Sequence, residues 1–499
     1  MPPGPGARRA ILVSTMSVLA GGGAALVGSL VLRILMARAL EPSALGLVLL
    51  AIAIVTPLGS IAGLGTNAAV AQGVAERRAR GDLEGAKGLA SGAQLLAVTA
   101  GLLAAALLAA LAAPLAILLG QPGLDGILLP MAPVALGLAA GGAALGISRG
   151  FGDSLGRALV RDTGGGVLRV VGVGAAFLAA KPTSFGVAAG FAAGSLAAEL
   201  LFVGYVAAKG WVSAGSRAPA RSLLPGLRPF AATEVLSQAA LWLDVVVLGA
   251  LAPPVVVGLY GIARGLTRVL DLVRQASSHG YLPAASAAVA RGEDDAIATL
   301  HVSTRRFAFA LVWPILAVCI LAPGPLLGLL FGPAYEAAAP ALRLLALASF
   351  LSSFFDYLDL VLVAERRPAD VLRAGVVGIT ALVALLAALV PPYGGEGAAL
   401  ALLGSSLLRG LVVHRFAFRS RTFRPFLPAF AGPALLGTTS LVLGGIVLRL
   451  LRPAPLGALL LAAATGGVAA GVALIALFGK RAGAGARPPA GPDVGTHPP

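Results

Sequence analysis

The amino-acid sequence predicts an all-α polytopic membrane protein: about fourteen transmembrane helices, in two parallel six-helix lobes followed by two C-terminal helices. Three observations predict it. First, of 499 residues 58% are hydrophobic and only 12% charged, against about 25% charged in soluble domains, and mean hydropathy is +0.93. Second, long runs carry no Asp, Glu, Lys or Arg, as from Leu89 to Leu124; roughly 18 such residues make a membrane-helix candidate. Third, short stretches recur at a fixed offset of 211 residues.

The elements follow in order. A short terminus, 1–10, carries Arg8 and Arg9. The first span, 11–36, opens on an apolar run longer than the core of a secretory signal, so it is read as a retained helix. Span 44–72 ends before Arg77, Arg78, Arg80 and Lys87. Spans 88–119 and 125–148 are joined by a turn at Pro122 and precede Arg149, Arg157 and Arg161. Spans 161–181 and 185–208 complete a first lobe, 11–208, and the linker 209–227 carries Lys209, Arg217 and Arg221. The second lobe, 228–415, holds spans 228–251, 255–283, 303–331, 337–363, 371–391 and 396–415. Spans 427–449 and 455–479 form the last pair. The tail 480–499 is rich in Gly and Pro, a composition that cannot bury a core. Connections are short, and none could house a soluble catalytic domain.

The basic residues test this order. With the N-terminus inside, the inner segments carry 26 Lys and Arg and the outer ones 4, namely Arg38, Lys181, Arg449 and Arg452. That asymmetry is the positive-inside signature, and it places both termini in the cytoplasm. It also explains the net charge of +16 without nucleic acid, because the cations lie in short clusters between apolar runs rather than in one stripe.

The repeat is legible in several places. ARGDLEGAKGL at 79–89 returns as ARGEDDAIATL at 290–300. Ala39-Leu40-x-Pro42 returns as Ala250-Leu251-x-Pro253, and Leu118-Leu119-x-x-Pro122 as Leu329-Leu330-x-x-Pro333. Gly186-x-Ala188 has Gly397-x-Ala399. Six spans is an even number, so the second lobe enters the membrane in the same sense as the first. Transporters built from such parallel repeats carry their substrate path at the lobe interface and work by rocking the lobes; duplication without transport is the bland alternative.

Charges inside spans cost about 2.5–3.5 kcal/mol each near a helix centre, so they should face water or a partner. In span 255–283, Arg264, Arg268, Asp271 and Gln275 are spaced to lie on one face, with Arg274 beside it. Two readings stay open: a cationic path for an anion, since guanidinium grips phosphate oxygens well, or an internal ion-pair ladder with Asp271 between Arg268 and Arg274. Arg33 and Asp244 are equivalent under the offset, and could meet across the lobes as an outer gate; alternatively Arg33 snorkels outward. Asp356 and Asp359, three residues apart, could carry a proton or cation or answer an arginine, and Asp244 and Asp271 are further ion-coupling or gating candidates. Arg169, Glu199 and Arg409 are read as structural, and Arg343 is ambiguous. The lone Cys319 excludes an intramolecular disulfide and a cysteine metal cluster. His279, His301 and His414 show no metal-site spacing. No G-x-x-x-x-G-K-[ST] loop is present, so the chain is not expected to hydrolyse ATP.

Three stretches carry a family resemblance: RILMARALEPSALGLV at 33–48, FGPAYEAAAPALRLLALA at 331–348 and GEGAALALLGSSLLRG at 395–410. The chain resembles the Wzx-type polysaccharide and O-antigen flippases of the multidrug/oligosaccharidyl-lipid/polysaccharide exporter superfamily over most of its length, roughly 9–480. The resemblance implies a bacterial inner-membrane transporter rather than an enzyme, with no cofactor. It would move a polyprenyl-pyrophosphate-linked oligosaccharide from the cytoplasmic to the periplasmic leaflet, for cell-surface polysaccharide synthesis. It implies cavity cations for the pyrophosphate, a role that falls best on Arg264 and Arg268, with Arg274 and Arg33 beside them. The first lobe departs from this pattern, since Ala53 and Pro57 stand at the positions equivalent to Arg264 and Arg268. Glycosyltransferases or a polymerase of the same pathway are candidate partners, and two lobes make a monomer sufficient. A peptidoglycan lipid-precursor flippase, a multidrug/cation antiporter and a non-transporting membrane scaffold are the alternatives.

Overall fold

In a computed structural model the protein is helical throughout the described residues, with no strand among them. The structure describes residues 5–178, 182–212, 220–365, 367–418, 426–451 and 453–483. Some side chains inside these ranges, including those of 5–20 and 271–280, fall outside the description. Of the expected terminus 1–10, residues 5–10 are already helical; of the expected linker 209–227, residues 213–219 lie outside the description and 220–227 belong to the next helix; of the tail 480–499, only 480–483 are described, as the end of the last helix. Nine helical stretches among the described residues are long and apolar enough to cross a membrane, or ten if one sharply bent pair counts as a span.

The chain opens with α1, Pro5–Ala39, and α2, Pro42–Ala62, which α3, Thr66–Ala79, continues. The expected helix 44–72 is thus broken. Leu64 takes a left-handed φ of 52° and Gly65 one of 72°. Gly65 is needed there because a Cβ would fall 2.6 Å from the backbone of Phe230. Then come α4, Leu83–Leu118, α5, Leu124–Met131, and α6, Pro133–Phe151. A single turn, α7, Ser154–Gly156, leads into a π-helix at Arg157–Gly164, followed by α8, Gly165–Ala175, and α9, Ser184–Ala208.

The second half starts with α10, Ala220–Leu251, and α11, Pro254–Arg291. Next is α12, Asp294–Leu321, which turns by 91° into α13, Pro323–Phe331. After α14, Ala339–Ala364, the 50-residue α15, Pro368–Ala417, contains two of the expected helices, merged across a kink at Gly394 (φ 53°, ψ −126°) that follows Pro391-Pro392. The last pair is α16, Phe426–Leu451, and α17, Pro455–Gly483.

The duplicated ARG stretch makes the same turn twice. Gly81 (φ 80°) and Gly292 (φ 70°) end α3 and α11 in the left-handed conformation that favours glycine. The acids that follow, Asp82 and Glu293, share nearly one backbone conformation at the starts of α4 and α12. The shorter Asp82 caps Gly85 N–H at 2.8 Å. Glu293 instead takes a bidentate contact from Arg291 at 2.6 and 2.9 Å, which holds its carboxyl below the usual range.

The halves meet where α2 crosses α11. A Cβ on Gly46 would fall 1.8 Å from the carbonyl oxygen of Pro254, and one on Gly258 would fall 2.0 Å from that of Pro42. Each helix start therefore sits on the other's glycine, a reciprocal contact of the kind two-fold-related surfaces make. The largest apolar core surrounds this crossing, with Leu45, Leu49 and Val257 in it.

Candidate functional site

The polar residues of α11 sort into two directions. Tyr260 and Arg264 turn towards α10, where Asp244 lies with its side chain fully buried. One carboxylate oxygen of Asp244 accepts from Tyr260 Oη–H at 2.7 Å and from Arg264 Nε–H at 3.1 Å. The other accepts from the N–H of Val245 at 2.9 Å. A buried ion requires this kind of satisfaction. Arg268, one turn further along α11, instead stacks its guanidinium over Trp242 of α10, 4.6 Å from the ring centroid.

This arrangement corrects the expected gate between Arg33 and Asp244. Asp244 is held by Arg264 within its own half. Arg33 does not snorkel outward either. It crosses to the other half, where its Nη1–H donates to the carbonyl of Gly261 at 3.2 Å. Gly265 makes the room, since a Cβ there would fall 2.5 Å from the guanidinium. No described carboxylate pairs with Arg33.

Arg33 and Arg268 line a cavity of about 220 Å³ at the seam between the halves, together with Arg169, Asp162, Trp242 and Thr56. Among the described residues the charged side chains around it are three guanidiniums and one carboxylate. Arg264 lines a different space, a cavity of about 880 Å³ between α10, α14 and α15. Arg264 and Arg268, expected on one path, therefore wall two adjoining cavities. Asp359 and Arg409 also line the larger one and form an ion pair between α14 and α15. The side chains of Asp271, Arg274, Gln275 and Asp356 lie outside the described residues.

The π-helix shapes the first half of the seam. Its wide turn, spanned by Thr163 Oγ1–H donating to the Ala158 carbonyl at 2.9 Å, brings Arg157 to 3.4 Å from Asp162. Glu199 is buried and receives Arg161 at 3.3 Å and Arg169 at 2.9 Å. Gly141 leaves space for that carboxylate, which a Cβ would meet at 1.9 Å. Asp162, Trp242 and Tyr260 escape a reading of the sequence. Trp242 and Tyr260 look like membrane apolar residues, and nothing local marks Asp162 as facing a cavity. Among the described residues no group of three His, Cys, Asp or Glu could hold a metal ion.

Comparison with known proteins follows this geometry. The sequence profile described as "Polysaccharide biosynthesis protein" matches residues 9–289, more than half of the chain. Over 179 residues the chain is 30% identical to the "Probable flippase AglR" of Haloferax volcanii. That match covers 35% of this chain and 37% of the relative, so it spans little more than a third of that protein. Among solved structures, the lipid II flippase MurJ in an inward closed conformation superposes with a TM-score of 0.73, covering 94% of this chain and 100% of that one at 14% identity. An inward-facing MATE-family transporter of the MOP superfamily gives a TM-score of 0.68, covering 79% and 94% at 16% identity. At these identities the likeness is one of fold, and it is the fold of these transporters.

Proposed function

Because the chain belongs to the polysaccharide biosynthesis protein family, we propose that it is a flippase for a polyprenyl-pyrophosphate-linked oligosaccharide, carried from the cytoplasmic to the periplasmic leaflet. Arg33 is the observation that carries this reading. It is a cation on a membrane helix, at the seam of two halves, with no described carboxylate in an ion pair with it, and it shares its cavity with two further described guanidiniums and one carboxylate, Asp162. Such a charge is costly in a bilayer and is kept where it meets a ligand or water. Pyrophosphate offers the acceptor oxygens that guanidinium forks match. Arg33 and Arg268 grip it, while Arg169 is already engaged by Glu199 and sets the local field.

Transport follows by rocking of the halves about the α2–α11 crossing, with the seam exposed first to one leaflet and then to the other. The distribution of Lys and Arg sets the N-terminus in the cytoplasm and gives the direction its sense. A carrier of cationic drugs would need carboxylates in excess at the seam, the reverse of the three-to-one balance among the described residues there.

The test is flipping in proteoliposomes, with a fluorescent polyprenyl-pyrophosphoryl oligosaccharide. Wild type translocates the label, and Arg33→Ala and Arg268→Ala each slow it at least about tenfold, the size of one lost charge-assisted hydrogen bond. Normal rates in both variants assign these arginines to structure alone. No flipping, with export of cationic dyes against an ion gradient, moves the protein to the antiporter class.

A further inference from the structure

The larger cavity has a different chemistry from the seam. Its polar wall is made of hydroxyls: Thr233 and Ser237 on α10, Ser349 and Ser352 on α14, Ser405 and Ser406 on α15. Ser352 donates to Ser406 at 3.0 Å and so links two of these helices across the wall. Each hydroxyl has one donor and two acceptor positions, so such a pair still offers acceptors to a ligand. Among the described residues both guanidiniums of this cavity are matched in ion pairs, Arg409 with Asp359 and Arg264 with Asp244. At about 880 Å³ it is four times the volume of the seam cavity and within the range of pockets that enclose a ligand.

The two cavities share their walls. Leu241 lines the large one and the adjacent Trp242 the seam. Arg264 lines the large one and Arg268 the seam, about 6 Å further along α11. A ligand with a phosphate bonded directly to a polyhydroxylated group has the same spacing of chemistries.

We propose that the cavity between α10, α14 and α15 receives the saccharide of the transported lipid, that this saccharide is uncharged, and that the pyrophosphate stays at the seam; this rests on the flippase reading above. A uronic acid in that cavity would add a carboxylate where both guanidiniums are already neutralised, and burying it unmatched is costly.

Three substrates test the proposal in proteoliposomes: bare polyprenyl pyrophosphate, the same lipid bearing a neutral disaccharide, and the lipid bearing a disaccharide with one uronic acid. Wild type is expected to move the neutral form at least about tenfold faster than the acidic one. Ser406→Leu and Ser352→Leu, which fill the hydroxyl wall, are expected to slow the neutral disaccharide lipid about tenfold and leave the bare lipid unchanged, a control for folding. Equal rates for the neutral and acidic forms overturn the proposal. So does equal slowing of the bare lipid, which would assign the cavity to the carrier. Wild type that moves the bare lipid but neither glycan form overturns it, and narrows the flippase reading to the polyprenyl pyrophosphate without its oligosaccharide. Failure with all three removes the flippase reading, and the proposal with it.

Discussion

Asp244 uses both carboxylate oxygens: Tyr260 and Arg264 donate to one, and the Val245 N–H donates to the other. The pair with Arg264 is buried on both sides, so removing one partner strands a charge. Asp244→Asn is expected to destabilise the protein by about 3 kcal/mol, the usual cost of breaking such a pair, read as a lowered thermal midpoint in detergent. Asp244→Asn with Arg264→Met should recover much of that loss, because no unpaired ion is left behind. If the double variant is as unstable as the sum of its singles, the two groups do not compensate each other. Glu199, between Arg161 and Arg169, is under the same constraint and has Gly141 opposite to admit it.

At the scale of elements, the contact between α2 and α11 depends on the absence of two side chains. Gly46→Ala or Gly258→Ala would drive a methyl group into a carbonyl oxygen of the facing helix. Backbone cannot move aside as a side chain can, so the helices must separate. The expected loss is at least the 1–3 kcal/mol typical of an overpacked core, seen as a lower thermal midpoint and poorer yield of monodisperse protein. Gly204→Ala in α9 is the control, since nothing lies within 4 Å of its Cβ position, and alanine is about 1 kcal/mol the better helix former. Equal effects from Gly46→Ala and Gly204→Ala would remove the crossing from the account. The break at Leu64 belongs to this scale too. A non-glycine residue in the left-handed region is strained, and it is held there where Gly65 packs onto α10.

Across the whole molecule, one end is latched by hydrogen bonds from side chains of one half to carbonyls of the other. Arg38 reaches Leu329 and Leu330, Tyr335 reaches Leu40, and the buried Gln121 donates to both Gly249 and Ala252. Each bond contributes about 1 kcal/mol, so together they can hold a two-state equilibrium at this end. The triple variant Arg38→Met, Gln121→Leu, Tyr335→Phe is expected to populate a second, longer distance between spin labels at Gly126 and Glu396. The distribution should stay narrow in the parent, with buried Cys319 replaced by Ala in both. An unchanged distribution would show that apolar packing alone closes this end.

What the sequence by itself determined is the membrane class and the helical content. These rest on local properties: apolar run length and charge placement between runs. The tertiary structure decided the pairing of charges. Arg33 and Asp244 are equivalent by offset, yet one crosses to the Gly261 carbonyl and the other stays with Arg264. Arg264 and Arg268 share a helical face, yet they wall separate cavities. Helix periodicity shows which residues lie on one face but not what that face meets. That is set by crossings such as Gly46 on Pro254 and by breaks such as Gly63-Leu64-Gly65, which turn and offset one helix against its neighbours by close backbone contact. Such contacts join residues some 200 positions apart, and no local pattern records them.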